Sequence, residues 1–389
     1  MKVNWTIGFA AACLLLLCLL FCGYWVEHAR PMLDEATVLR RCYVPPWDNS
    51  TFEKRFYSID WPAFARYVWR AVFSVTGWRW PEFDDEHYEF DGRFPLNPRN
   101  IRPYEGGQVP RDAVRVLRIV AAGFLTLACF AMAAMALDAT GSAFAGVAAA
   151  LPLLLHPAAG QWLVGYPGTD AVILFWMLLF AALWVGYHKR RALTRLSAVL
   201  VMAFVAGLAA GTKINGGLLT AAFAPCLALY SRGWRRLWAP LLFCGVAFLV
   251  FVAVNPVLWQ PGAGGLVQGI RDIFARRLEV MKRQENLNIL PRVAYFQARR
   301  FLLPVVPWAA LALYLARREK WFVPAVWWSA AVFLGSYFAL NRYDPRLGFP
   351  LDAALTVPTM LAALHVIRRL RERLTVRMAA RKDKAEGPA

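Results

Sequence analysis

The stretch TDAVILFWMLLFAALWVGYHKRR, Thr169–Arg191, decides how this chain is read. Between Asp170 and His188 it carries no charge, and it is apolar on every face rather than along one stripe. A helix that is hydrophobic all round lies inside a large core or a membrane, and about 20 apolar residues are what a bilayer crossing needs. The run stops at Lys189-Arg190-Arg191, which fits the basic flank of a span on its cytoplasmic side.

The rest of the chain repeats this pattern. Of its 389 residues, 59% are hydrophobic and only 18% charged, with mean hydropathy +0.41. A soluble chain of this length needs roughly 25% charged residues to cover its surface. The 14% aromatic content and the long apolar runs also exclude a disordered chain. Ten candidate spans follow, at roughly Ile7–Trp25, Val114–Leu137, Ala143–Pro157, Thr169–Tyr187, Leu196–Ala210, Gly216–Tyr230, Leu237–Val254, Phe301–Ala316, Trp321–Leu340 and Leu347–Ile367. The third, fifth and eighth are short. Lys2 precedes the first, but no small-x-small cleavage site follows, so it reads as an uncleaved anchor.

Counting spans puts five basic groups on one side: Lys2, the 189–195 cluster, the 232–236 cluster, the 317–320 cluster and the tail after residue 367. Together they hold 19 basic residues against five acidic ones, so most of the net charge of +19 marks topology rather than a nucleic-acid partner. That side, with both termini, is expected to be cytoplasmic. The fold expected is an all-α polytopic membrane protein of six parts. These are an anchor (1–25), a long outer loop (26–113), spans two to seven (114–254), a second outer segment (255–300), spans eight to ten (301–367) and a basic tail (368–389). Of the seven cysteines only Cys42 lies outside the apolar runs; no CxxC motif or disulfide framework is present, so the others are expected to pack as small apolar residues.

The long outer loop holds 14 of the 25 acidic residues. Asp34-Glu35 stands nine residues beyond the first span, a candidate base or metal ligand close to the membrane surface. Asp60-Trp61-Pro62 leads into an expected amphipathic helix over 63–75, with Phe64, Val68, Ala71 and Val72 on one face and Arg66 and Arg70 on another, lying on the membrane interface. Trp61, Trp69, Trp78 and Trp80 suit an interfacial belt. Asp84-Asp85-Glu86-His87 lacks specific ligand spacing and reads as a solvated cluster. In the turn Gly165-Tyr166-Pro167-Gly168-Thr169-Asp170, Thr169 is expected to cap the following helix and Asp170 to sit in its first turn. Tyr166 and Asp170 are candidate substrate contacts.

Three cations fall on the wrong side for topology. Lys213 closes Gly207-Leu208-Ala209-Ala210-Gly211-Thr212-Lys213 between two apolar runs, and an ionisable residue there is a functional candidate. It would pair with a phosphate or with an outer carboxylate. Arg342 and Arg346, in Asn341-Arg342-Tyr343-Asp344-Pro345-Arg346, suit phosphate oxygens. Arg271, Arg276, Arg277, Lys282 and Arg283 read as a solvated or headgroup-binding face.

Taken in order, these motifs resemble the GT-C glycosyltransferases, in particular the protein O-mannosyltransferase and aminoarabinose-transferase type (glycosyltransferase family 39-like). Asp34-Glu35 resembles the family's Asp-Glu of the first outer loop. Asp60-Trp61-Pro62 looks like a degenerate His-Pro-Pro segment, 166–170 like its Asp-bearing turn, and 207–213 like its Gly-rich stretch ending in Lys. The likeness covers about the first 220 residues, with Arg342-Tyr343 beyond. It implies transfer of a sugar, with inversion, from a polyprenyl-phosphate donor to a protein, glycolipid or polysaccharide hydroxyl on the periplasmic face of a bacterial inner membrane. Asp34 would be the base and Glu35 its orienting partner. Lys213, Arg342 and Arg346 would hold the donor phosphate, and Asp60, Tyr166, Asp170 and Tyr343 would contact substrate. No cofactor is required by this chemistry; a divalent ion, if one takes part, would sit at Asp34. The alternatives are a transporter or lipid flippase, against which the lack of internal repeats counts, and a non-catalytic subunit of an envelope complex.

Overall fold

The computed structural model describes residues 5–29, 63–76, 111–154, 160–165, 169–259, 265–282, 372–376 and 378. Among these residues helix is the only regular secondary structure. We number the main helices α1 (Trp5–His28), α2 (Phe64–Thr76), α3 (Arg111–Thr140), α4 (Ala143–Leu154), α5 (Asp170–Lys189), α6 (Leu196–Thr212), α7 (Leu218–Tyr230), α8 (Arg235–Ala253) and α9 (Gly265–Lys282). A π-helical turn, Gly160–Val164, precedes α5, and short 3-10 turns at Ile214–Gly217 and Pro256–Leu258 follow α6 and α8.

Among the described residues, four helices are long and apolar enough to cross a membrane: Trp5–His28, Asp112–Asp138, Asp170–Lys189 and Arg235–Ala253. The apolar helices Leu196–Thr212 and Leu218–Tyr230 are shorter. Expected spans one to seven each coincide with one of α1 and α3–α8; spans eight to ten lie outside the described residues. Large apolar side chains stand exposed along α1 (Leu16, Leu19, Leu20), α6 (Phe204) and α8 (Leu241, Leu249). Such surface is unfavourable in water and suits hydrocarbon. Cys18, Cys22, Cys129 and Cys226 are buried and unbridged, packing as expected of small apolar residues.

The core joins α1 and α3–α8. At its centre Phe180 meets Phe223 with ring centroids 5.2 Å apart and Phe243 at 6.3 Å, and Trp184 packs edge-on against Phe223 at 5.2 Å. Edge-to-face geometry at such distances is favourable for aromatic pairs. Helices α6 and α8 approach closely. A Cβ at Gly207 would lie 2.6 Å from the Ala247 carbonyl oxygen, and one at Gly211 would lie 2.3 Å from Val254 Cγ2. The spacing Gly207-x-x-x-Gly211 therefore works as a small-residue contact face, the arrangement that lets apolar helices approach where lipid offers no competing drive. The Gly-rich stretch is thus explained by packing.

The bundle has two chemically different ends. At one, the Lys189 ammonium bonds the Asp138 carbonyl, His188 contacts the Tyr230 ring at 5.3 Å, and Arg236 Nε donates to the Ser231 carbonyl at 3.1 Å. The 189–195 and 232–236 basic clusters therefore share an end. Asp170, Lys213, Arg118 and Asn255 gather at the other.

Two local expectations are corrected. Thr169 does not cap α5: it has helical dihedrals (φ −72, ψ −5) and makes no side-chain capping bond. Helix α2 exists, but it buries Ala65, Arg66, Trp69 and Phe73 rather than the face through Phe64, Val68, Ala71 and Val72. Ala71 is exposed and Arg66 is fully buried. The helix is turned so that Trp69 and Phe73 are buried, while the part-buried Phe64 at its start meets Trp176 at 5.5 Å.

Candidate functional site

Helices α5 and α6 are consecutive and antiparallel, so the start of α5 lies beside the end of α6. Asp170 is the first residue of α5 and Lys213 is the C-cap of α6 (φ −153, ψ 134). Each charge sits at the helix end whose dipole favours it, negative at an N-terminus and positive at a C-terminus. Lys213 Nζ donates to Asp170 Oδ1 at 2.5 Å, with the two side chains only 19% and 7% exposed. Lys213 is therefore not snorkelling to lipid. Of its two expected partners, a phosphate or a carboxylate, the carboxylate is present. An ammonium has three donors, so one bond to Asp170 leaves others for a second anion.

Toward the same end of the bundle lie buried polar groups that sequence reasoning did not single out. Arg118 of α3, 6% exposed, donates from Nη1 to the carbonyls of Val26 at 3.1 Å and Ala29 at 3.2 Å. These are C-terminal carbonyls of α1, which no residue within that helix can satisfy. A Cβ at Gly165 would lie 2.3 Å from Ala29 Cβ, so the end of α1 also abuts the turn leading to α5. Across the site, Asn255 Oδ1 accepts the backbone N–H of Ala63 at 2.9 Å. Burial raises the pKa of the Tyr67 phenol on α2, while the neighbouring Arg66 charge lowers it in part. Arg66 carried only a helical-face reading from sequence; its full burial is a tertiary fact.

Of the residues expected to act, the structure brings Asp170 and Lys213 into contact. Asp34, Glu35, Asp60, Tyr166, Arg342, Tyr343 and Arg346 lie outside the described residues, as does the 84–87 cluster. The second basic stretch begins on α9, where Ile273 is buried against Val257 and Leu258 while Arg271 is exposed.

The described arrangement can hold an anion. It offers a largely buried ammonium bonded to a carboxylate, at an end of an apolar bundle to which residues 29 and 63, on either side of segment 30–62, are fixed. No protein-family model matches the sequence, and no curated protein does.

Proposed function

We propose that this protein is a GT-C-type glycosyltransferase with ten spans, using a polyprenyl-phosphate-linked sugar, its Asp170–Lys213 end facing the periplasm of a bacterial inner membrane. The observation that carries this reading is the largely buried Lys213–Asp170 pair between two apolar helices. An intramembrane ionisable pair marks a functional site by default. Chain connectivity supports it. Asp34 follows Ala29 by five residues and Asp60 precedes Ala63 by three.

In this reading the acceptor hydroxyl oxygen attacks the anomeric carbon as the bond to the phosphate oxygen breaks. The Asp34 carboxylate takes the hydroxyl proton, oriented by Glu35. The departing polyprenyl phosphate keeps the bonding electrons, and its charge is met by Lys213, Arg342 and Arg346. Asp170 holds Lys213 in position, and Asp60, Tyr166 and Tyr343 contact the substrates. No metal is needed for these steps.

The test is transfer in proteoliposomes from radiolabelled polyprenyl-phosphate mannose or aminoarabinose to protein and lipid fractions. Wild-type protein transfers label, and Asp34→Asn inserts normally but loses at least a thousandfold in rate. Movement of intact donor across the bilayer without sugar transfer would replace this reading with a flippase. An active Asp34→Asn variant would remove Asp34 as the base.

A further inference from the structure

Asn255 lies where α8 passes into the 3-10 turn, with φ −117 and ψ 89. Its side chain is 1% exposed and makes two bonds. Oδ1 accepts the Ala63 N–H at 2.9 Å, and Nδ2 donates to the Phe251 carbonyl at 2.6 Å. The amide orientation follows from the chemistry, because an N–H can only donate and a carbonyl can only accept.

Ala63 is the entry to α2: its carbonyl accepts the Tyr67 N–H at 3.1 Å and so begins the helix. Helix entries are normally capped by a nearby Ser, Thr, Asp or Asn. The two residues directly before it, Trp61 and Pro62, have no side-chain oxygen to accept this N–H. Ala63 and Ala65 are both fully buried, which excludes bulk water from the task. The N–H is met instead by a side chain 192 positions further along the chain. The same Asn255 Nδ2 would lie 3.7 Å from a Cβ at Gly211, two residues before Lys213. Asn255 therefore joins the start of α2 to the tight α6–α8 contact that carries Lys213.

We propose that Asn255 is a positioning residue. It clamps the entry of α2 to the end of α8 and so sets where α2 stands relative to the end of α6 that carries Lys213. Its contribution to catalysis rests on the glycosyltransferase reading; the clamp itself does not. Asparagine is suited because the place needs an acceptor for Ala63 and a donor for an α8 carbonyl at once. Aspartate retains the acceptor, and leucine retains neither.

The experiment compares wild-type protein, Asn255→Asp and Asn255→Leu as full chains in lipid nanodiscs. Amide hydrogen exchange over 64–76 is the first readout. Asn255→Leu is expected to lose at least tenfold in protection there, with Asn255→Asp within about threefold of wild type and α3 and α5 unchanged. The second readout is transfer: Asn255→Leu lowers kcat at least tenfold with donor KM within about twofold, and Asn255→Asp restores most of it. Ala63→Pro removes the donor from the other side of the same bond and serves if Asn255→Leu does not fold; it should loosen α2 to the same extent. Unchanged α2 protection in both variants would overturn the clamp. A loosened α2 with wild-type kcat would overturn the positioning role. If the wild-type protein transfers no sugar, the function above fails while exchange still decides the clamp.

Discussion

Lys213 and Asp170 close the gap between two antiparallel helices, Nζ to Oδ1 at 2.5 Å, one charge at a helix C-cap and the other at a helix N-terminus. The pair lies 43 residues apart in sequence and at the same end of the bundle as the buried Arg118 and Asn255.

Removing one partner strands the other charge in a largely buried position, which costs about 3–5 kcal/mol for a buried pair. Lys213→Met and Asp170→Asn should each lower thermal stability in detergent. The double variant should recover part of that loss, because no uncompensated charge remains. Transfer should stay abolished in every variant lacking Lys213. Full activity in the double variant would show the pair to be structural only.

The two contact glycines should not be equally sensitive. A Cβ at Gly207 meets a backbone oxygen at 2.6 Å, whereas one at Gly211 meets the end of the Val254 side chain at 2.3 Å. Side chains can rotate away and backbone cannot. Gly207→Ala should therefore cost more than Gly211→Ala, about 1–3 kcal/mol for the former as for other overpacking changes. Unfolding in a mixed detergent series gives the ranking, and the reverse order would contradict the helix contact described.

Two arginines of α3 make opposite predictions. Arg115 bonds Glu27 at 2.7 Å, but the two side chains are 59% and 49% exposed. Exposed pairs contribute about 0–1 kcal/mol, so Arg115→Met should be nearly silent. Arg118 is buried, and its loss leaves two carbonyls of α1 without their donor. Arg118→Met should destabilise by about 1–3 kcal/mol, the cost of an unsatisfied buried group. It should also speed amide exchange at the end of α1.

Sidedness is open to direct chemistry. In intact spheroplasts a membrane-impermeant maleimide should label Cys42, which stands in the acidic loop. A cysteine introduced by Arg190→Cys, in the basic turn after α5, should label only after permeabilisation. The opposite pattern would invert the proposed orientation.

The apolar runs, their lengths and the basic residues between them were legible in the sequence because each is a local property: a residue's transfer energy depends little on its neighbours. That is why α1 and α3–α8 appear where the runs are, why two basic clusters share one end, and why Lys213 stood out as a cation between two apolar helices. Partner choice was not legible. A span that is apolar all round carries no stripe to say which face meets which neighbour, so nothing local joins Lys213 to Asp170 or Arg118 to the end of α1. Helix α2 shows the same limit. Its apolar positions suggested one face, yet packing buried Arg66 and Trp69 instead. Thr169 had the right chemistry for a cap but the wrong backbone dihedrals. Asn255 looked like an ordinary residue after a span; only the fold, by bringing Ala63 to it across 192 positions, made it a clamp.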